Sequence, residues 1–202
     1  ECSVRGGLPN FFYKANHGKT LTIGYIGGSI TRGKNMYRDQ SAKFIQKMFP
    51  NVKMNAINAG VAGTGTDLGA CRIREQLLRY HPALIFIEFA VNGAFRPGME
   101  GMVRQIRAFD PSIDICFLYT ITDKQGVVYA AGKVPENIQG LEAIADHYGI
   151  PSIHMGLYPS LLAQKGALIW KGDAAPGKGK IIFSNDGIHP LPAGGDLYAA
   201  AI

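Results

Sequence analysis

The strongest constraint on the fold is a series of short apolar runs that recur about every 30 residues. Each run is rich in β-branched and aromatic residues and is followed by a segment with helical spacing of its apolar residues. The predicted strands are residues 20–26, 52–58, 83–89, 114–120 and 151–155. The predicted helices are residues 37–49, 67–80, 99–109, 136–148 and 192 onward.

The third and fourth predicted strands are almost continuously apolar, which is typical of strands covered on both faces. We therefore expect an α/β fold with three α/β/α layers around a central, mostly parallel sheet. Residues 156–183 have the least regular pattern, and we expect them to form a long surface excursion.

Composition excludes several other classes of protein. The 202 residues are 47% apolar and 18% charged, which suits one globular core and excludes fibrous or disordered chains. No apolar run, residues 83–87 included, approaches the roughly 18 residues of a membrane span. We expect one domain over residues 1–202, excised from a longer chain because the sequence lacks an initiator Met and stops within a predicted helix.

The net charge of +6 raises the question of an anionic partner. The only dense basic stretch is residues 171–180, and the other basic residues are scattered, which disfavours nucleic-acid binding. We interpret the basic residues as a solvated surface, with attraction of an acidic partner, such as an anionic polysaccharide, as the alternative. These scattered residues include Lys14, Lys34, Arg38, Lys53, Arg72, Arg74, Arg79, Arg104 and Arg107.

The cysteines and most histidines predict no metal or disulfide framework. Cys2, Cys71 and Cys116 lack a CxxC pattern, and Cys116 is a candidate core residue within an apolar run. Four histidines have no ligand partner at helical spacing, and we interpret them as surface or locally hydrogen-bonded residues. They are His17, His81, His147 and His154.

Ser29 follows the first predicted strand and the glycines Gly27 and Gly28. Ligands of open parallel sheets bind beyond the carboxyl ends of the strands, so this turn is a candidate site. A helix N-terminus there would favour an oxyanion. Two other interpretations remain open: a helix cap, and a phosphate-binding loop, which the missing GxGxxG pattern disfavours.

Asp186 and His189 form an Asp-x-x-His spacing just before the last predicted helix. At this spacing the carboxylate can reach Nδ1 of the imidazole and leave Nε2 free to take a proton from a serine. The spacing is common and by itself means little.

Two further turns contain candidate oxyanion donors. Gly63 lies in a glycine-containing loop after the second strand, where the backbone can approach a substrate closely. Asn92 follows the third strand, and its amide could supply another donor. A simple turn residue before Gly93 is the alternative for Asn92.

Taken together, these blocks resemble the SGNH (GDSL-like) hydrolase family, in a branch with a GGSIT-type block. The similarity extends from about residue 20 to residue 202. The matching segments are Gly27-Gly28-Ser29-Ile30-Thr31, Asn58-Ala59-Gly60-Val61-Ala62-Gly63, Glu88-Phe89-Ala90-Val91-Asn92 and Asp186-Gly187-Ile188-His189-Pro190. The last segment is the most specific single match.

The resemblance implies a flavodoxin-like SGNH fold and a role for each matching residue. Ser29 would be the nucleophile, His189 its base and Asp186 the residue that orients the base. The backbone N–H groups of Ser29 and Gly63 and the side-chain amide of Asn92 would form the oxyanion hole. No metal or organic cofactor is implied.

The resemblance further implies a serine esterase for short-chain acyl esters, with O-acetylated carbohydrate as the leading substrate and a secreted or periplasmic location. Additional domains in the full-length protein are expected. One alternative is a carbohydrate-binding module without catalytic activity. Another is a lipase or thioesterase, whose acyl channel would need apolar residues of the segment 156–183. The alternative for these residues is that they fill the core or a partner interface. These residues are Leu157, Leu161, Leu162, Leu168, Ile169 and Trp170.

Two positions depart from the family pattern. Gly28 and Gly93 stand where the family usually has aspartate, so a carboxylate beside Ser29 and a side chain that steadies the Asn92 loop are both missing. Glu88, four residues before Asn92, could brace that loop. A buried glutamate with local hydrogen bonds is the equal alternative.

Overall fold

The computed structural model describes residues 2–173 and 179–202. Its main sheet contains β1 (Cys2–Ser3), β2 (Thr20–Gly27), β3 (Lys53–Gly60), β4 (Leu84–Glu88), β5 (Asp114–Leu118) and β6 (Ser152–Ile153). The strand order is β1-β6-β5-β4-β2-β3. Only β1 is antiparallel to its neighbour among these strands, which confirms the predicted mostly parallel sheet.

Helices cover both faces of this sheet. They are α1 (Pro9–His17), α2 (Ser29–Arg32), α3 (Tyr37–Met48), α4 (Thr66–Gln76), α5 (Arg96–Phe109), α6 (Asp123–Ala130), α7 (Glu136–Tyr148), α8 (Leu157–Gln164) and α9 (Pro192–Ala199). One core contains residues of α4, α5 and α7, and the other contains residues of α1, α3 and α9. The three-layer α/β/α architecture is therefore confirmed.

The central strands bury both of their faces. All five residues of β4 and of β5 are buried. Ile85 and Ile87 point into one core, whereas Leu84 and Phe86 point into the other, as the two-residue period of a strand requires. Because fully burying one such side chain contributes about 1.5–3 kcal/mol, these strands anchor the turns that follow them.

The prediction of a surface excursion over residues 156–183 is wrong. This segment contains α8, β7 (Leu168–Lys171) and the start of β8 (Ile181–Ser184), and β7 and β8 form a second, parallel sheet. Phe183 is fully buried against Trp170. The elements are too short for a clear period, so only their packing reveals them. Lys178 of the predicted basic stretch lies outside the described residues.

The apolar residues of this segment pack mainly into the core. Leu168 is buried, while Leu157, Leu162 and Trp170 pack against the core clusters. Leu161 and Ile169 are exposed. This arrangement favours the core interpretation over an acyl channel.

Other elements differ from the prediction in smaller ways. The sequence pattern missed α1, α6 and β1, which are short or bury few residues. The helix α5 begins three residues before the predicted start, because Pro97 suits a first helical turn. The three cysteines are free thiols, and Cys116 is buried, as predicted.

His154 belongs to a polar cluster at the far side of the sheet, so its interpretation as a surface or locally bonded residue is wrong. It is buried, and its Nδ1 lies 2.6 Å from the Tyr129 hydroxyl. Its Nε2 lies 3.5 Å from Glu142, which also accepts hydrogen bonds of 2.7 Å from Arg5 and from Tyr119. The partners come from distant parts of the chain, and no local pattern could have indicated them. We call these five residues the Glu142 cluster.

Candidate active site

The turn after β2 places Ser29 at the carboxyl edge of the sheet. β2 ends at Gly27, and Gly28 leads directly into α2, of which Ser29 is the first residue. A side chain at Gly27 would collide with the Thr31 hydroxyl, and a Cβ at Gly28 would lie 2.5 Å from Nδ2 of Asn92. Both positions therefore require glycine, because neighbouring groups occupy the space of a side chain.

Ser29, His189 and Asp186 are brought together in the folded chain. Nε2 of His189 lies 2.7 Å from Oγ of Ser29, and Nδ1 of the same ring lies 2.6 Å from Oδ2 of Asp186. The backbone N–H groups of Ile188 and His189 both donate to Oδ1 of Asp186 at 2.8 Å. The carboxylate thus holds the imidazole and its backbone, and Nε2 faces the serine hydroxyl.

Asp186 is held in its ionised form. Partial burial raises the pKa of its carboxyl group, but the hydrogen bonds with the ring and backbone of His189 and with the Ile188 N–H outweigh burial. The result is a pKa of about 2. An ionised carboxylate at Nδ1 can stabilise the positive charge that the ring acquires when Nε2 takes a proton.

Asn92 lies in the turn after β4, the strand that pairs with β2. Its amide nitrogen packs against Gly28, immediately before Ser29. Gly93, which follows, has a positive φ of 48°. The tight approach to Gly28 explains the absence of a side chain there, and it brings an amide donor to the Ser29 turn.

Gly63 lies in the loop after β3. Its φ is +72°, and a Cβ at this position would meet nothing within 4 Å. The loop is attached at both ends, because the Val61 N–H donates to the Gly27 carbonyl and the Thr66 N–H donates to the Gly93 carbonyl, each at 3.0 Å. The Gly63 loop therefore borders the site, and its backbone is open on the side where a Cβ would point.

Glu88 is buried beneath the Ser29 turn. Its Oε2 accepts a hydrogen bond of 2.8 Å from the Thr31 hydroxyl, and its Oε1 accepts one of 2.5 Å from the Thr120 hydroxyl. The backbone N–H groups of Gly28 and Ala90 also interact with this carboxylate. Burial outweighs these four donors and raises the pKa of Glu88. The two interpretations of Glu88 are thus compatible: it is a satisfied buried residue, and its contacts reach both turns.

Two arginines support the site, although the sequence suggested a solvated surface for both. The Arg72 guanidinium donates to the carbonyls of Gly27 and Ala59, at the ends of β2 and β3. Arg38 is buried and donates to the Thr31 carbonyl at 3.0 Å. Carbonyl acceptors carry no sequence signature, so nothing distinguished these two residues from the other scattered bases.

The site is an open surface feature. The side chains of His189 and Asp186 are each 50% exposed. A cavity of about 480 Å³ lies at the opposite edge of the sheet, beside Asp114 and Pro151. Within residues 2–173 and 179–202, no three His, Cys, Asp or Glu side chains are grouped to hold a metal ion. No helix in this same part of the chain has the length and apolar character to cross a bilayer.

Comparison with solved structures supports the architecture. A two-domain esterase active on acetylated mannans superposes with a TM-score of 0.78 and 27% identity over 96% of this chain. The match covers 50% of that protein, so the present chain spans half its length.

Two more distant structures share the fold. An acetyl xylan esterase from Geobacillus stearothermophilus has a TM-score of 0.66 and 16% identity, covering 91% of this chain and 93% of its own. A lipase/acylhydrolase from Enterococcus faecalis has a TM-score of 0.62 and 21% identity, covering 90% and 92%.

Among curated protein sequences, no match is found. The family model of the GDSL-like lipases and acylhydrolases, in contrast, matches residues 25–197, a span that includes Ser29, Asn92 and His189. The chain therefore belongs to the GDSL-like lipase/acylhydrolase family, the SGNH ester hydrolases.

Proposed function

We propose that this chain is a serine esterase that removes short acyl groups, chiefly acetyl, from carbohydrate. The observation that carries the proposal is the continuous contact from Ser29 Oγ through the His189 ring to the Asp186 carboxylate. This arrangement suits a nucleophile, a base and the group that orients the base.

In the proposed reaction, the Ser29 hydroxyl transfers its proton to Nε2 of His189 as Oγ bonds to the ester carbonyl carbon. The N–H groups of Ser29 and Gly63 and the Asn92 amide stabilise the negative charge on the carbonyl oxygen. His189 then donates its proton to the leaving sugar oxygen, and the C–O bond of the ester breaks. A water molecule, deprotonated by His189, then attacks the acyl carbon. The bond from this carbon to Ser29 Oγ breaks, His189 returns the proton to Oγ, and the acid is released.

Two observations support a small acyl group and a large alcohol. The half-exposed His189 and Asp186 leave room for a polymer at the site. The apolar residues that could have formed an acyl channel pack largely into the core. The likeness to an esterase active on acetylated mannans supports an acetylated polysaccharide, and we assign the chain to the GGSIT-type branch on its segment 27–31.

We further propose that residues 1–202 form one SGNH domain of a protein that acts outside the cytoplasm. Polysaccharide esters are found there. Other domains of the full protein would then help select the polymer.

The first test is hydrolysis of p-nitrophenyl acetate by the wild-type chain, by Ser29→Ala and by His189→Ala. We expect each substitution to lower kcat by at least about 1,000-fold, because neither group can replace the other. A wild-type rate equal to that of Ser29→Ala, both on p-nitrophenyl acetate and on acetylated glycans, would refute the esterase and favour a binding module.

A second measurement addresses the substrate. Release of acetate from acetylated mannan and from acetylated xylan is compared with hydrolysis of p-nitrophenyl esters of increasing chain length. We expect acetate to be the preferred acyl group. Preference for octanoate or longer chains would contradict the proposal and indicate a lipase or thioesterase.

A further inference from the structure

The two turns that hold Ser29 and Asn92 follow neighbouring parallel strands. β2 and β4 pair in a register that places Gly27 opposite Glu88. Glu88 is the last residue of β4, and only 2% of its surface is exposed. Its carboxylate is thus at the level where both turns begin.

On the Ser29 side, the carboxylate contacts the chain before and after the serine. The Thr31 hydroxyl, two residues after Ser29, donates to Oε2 at 2.8 Å. The Gly28 N–H, one residue before Ser29, interacts with the same group. The Tyr37 hydroxyl lies 2.7 Å from Thr31 Oγ1 and extends this network to α3.

On the Asn92 side, the same carboxylate interacts with the N–H of Ala90. The carbonyl of Ala90 in turn accepts a hydrogen bond from Asn137 on α7. The Thr120 hydroxyl, after β5, holds the other carboxylate oxygen. The Thr31 and Thr120 hydroxyls thus hold this buried carboxylate between the Ser29 turn and the turn after β5, at the end of the strand that leads into the Asn92 turn.

We propose that Glu88 is a positioning residue that sets the distance between Ser29 and the Asn92 amide. This inference rests on the proposed function, in which these two groups are the nucleophile and an oxyanion donor. The Ser29 and Asn92 turns leave little room for displacement, because a Cβ at Gly28 would already lie 2.5 Å from Asn92 Nδ2. A carboxylate suits the position because its two oxygens can accept several donors at once, whereas an amide must turn its NH2 group toward some of them.

The test is a double-mutant cycle with Glu88→Gln and Asn92→Ala on p-nitrophenyl acetate. We expect Glu88→Gln to lower kcat about 10- to 100-fold with KM changed less than about 2-fold, since the misplaced amide weakens only transition-state binding. In the Asn92→Ala background, Glu88→Gln should lower kcat by no more than about 3-fold, because the amide that Glu88 positions is gone. An unchanged kcat in the single variant, or losses that multiply in the double variant, would overturn the proposal.

Glu142→Gln is the matched control, since it changes the same kind of side chain in the cluster at the far side of the sheet. We expect its kcat to stay within about 2-fold of wild type. A drop as large as that of Glu88→Gln would show a general loss of structure and would contradict a positioning role.

If Glu88→Gln does not fold, Thr120→Val tests the same proposal. It removes one anchor of the carboxylate and touches neither Ser29 nor Asn92. We expect kcat to fall about 2- to 5-fold, again with less loss in the Asn92→Ala background. An unchanged kcat or a fully multiplicative loss would refute the proposal.

Amide hydrogen exchange separates this inference from the proposed function. Exchange at Gly28 and Ala90 should become at least about 10-fold faster in Glu88→Gln or Thr120→Val, but not in Glu142→Gln. A wild-type chain without turnover would refute the esterase, whereas unchanged exchange at both amides would refute the role of Glu88.

Discussion

Glu88 and Glu142 are two largely buried glutamates on opposite sides of the same sheet, and they have opposite pKa shifts. Burial raises the pKa of Glu88, whose partners are hydroxyl and backbone N–H groups without charge. Burial also acts on Glu142, but its hydrogen bonds to His154, Ser152, Arg5 and Tyr119 outweigh burial and hold its pKa well below the usual range.

The difference is one of charge compensation. Arg5 lies 2.7 Å from Glu142, so this carboxylate gains from being ionised in the folded chain. Glu88 is surrounded by dipoles alone, and its ionised form is disfavoured by burial. A carboxylate that costs folding energy at the edge of a candidate site is typical of residues retained for function. The Glu142 cluster, in contrast, fastens the N-terminal segment to α7.

Of the variants that test this comparison, Gly28→Ala should give the largest effect, because it alters the Ser29 turn above Glu88. The added Cβ would displace the Asn92 amide, and we expect kcat to fall about 100-fold because the proposed oxyanion donor is moved. Steady-state kinetics on p-nitrophenyl acetate measures it. Gly101→Ala, within α5, is the control, since the added Cβ would meet only Ala70 of α4, at 3.6 Å. Equal kcat in both variants would contradict the close approach of Asn92.

Glu142→Gln should act on stability and leave the chemistry intact. It removes the charge that pairs with Arg5, and we expect the free energy of unfolding to fall by about 1–3 kcal/mol. Urea denaturation at pH 7 measures this change. A variant as stable as wild type would show that the cluster contributes no net stabilisation.

The smallest effects are expected in the pH dependence of stability, to which Glu88 and Glu142 should contribute in opposite directions. Because the pKa of Glu88 is raised on folding, its contribution is greatest below about pH 4.5 and is lost as pH rises through the folded-state pKa. The pKa of Glu142 is lowered, so its contribution is present above about pH 4.5 and is lost as pH falls.

Urea midpoints of wild type, Glu88→Gln and Glu142→Gln from pH 4 to pH 7 test this prediction. The advantage of wild type over Glu142→Gln should grow with pH, and that over Glu88→Gln should shrink. Each slope is at most about 1.4 kcal/mol per pH unit, the limit for one proton. Two slopes of the same sign would remove the distinction between the regions.

The fold was predictable where side-chain patterns are long and local. The continuous apolar runs in β4 and β5 indicated strands buried on both faces, and α7 begins and ends at the predicted residues. The short elements α8, β7 and β8 were missed, because a strand of four residues shows too few periods to stand out from a loop.

The sequence predicted the central residues of the candidate site but not the arginines that support its turns. Ser29, Asn92 and His189 each stand in a recognisable local block, and the folded chain brings them to one edge of the sheet. The roles of these residues stay predictions until they are tested. Arg72 and Arg38 act through backbone carbonyls, and any residue can supply such an acceptor.

The amino-acid sequence by itself determined the longer strands and helices of the main α/β layers, the family and the turns at which chemistry is expected, because these depend on local periodicity and on turn residues. Only the tertiary structure decided that His189 and Ser29, 160 residues apart, lie 2.7 Å from each other. The same holds for Glu88, whose position beneath the Ser29 turn follows from the register between β2 and β4. Such contacts depend on how distant segments pack, and side-chain packing across a sheet leaves no local pattern in the chain.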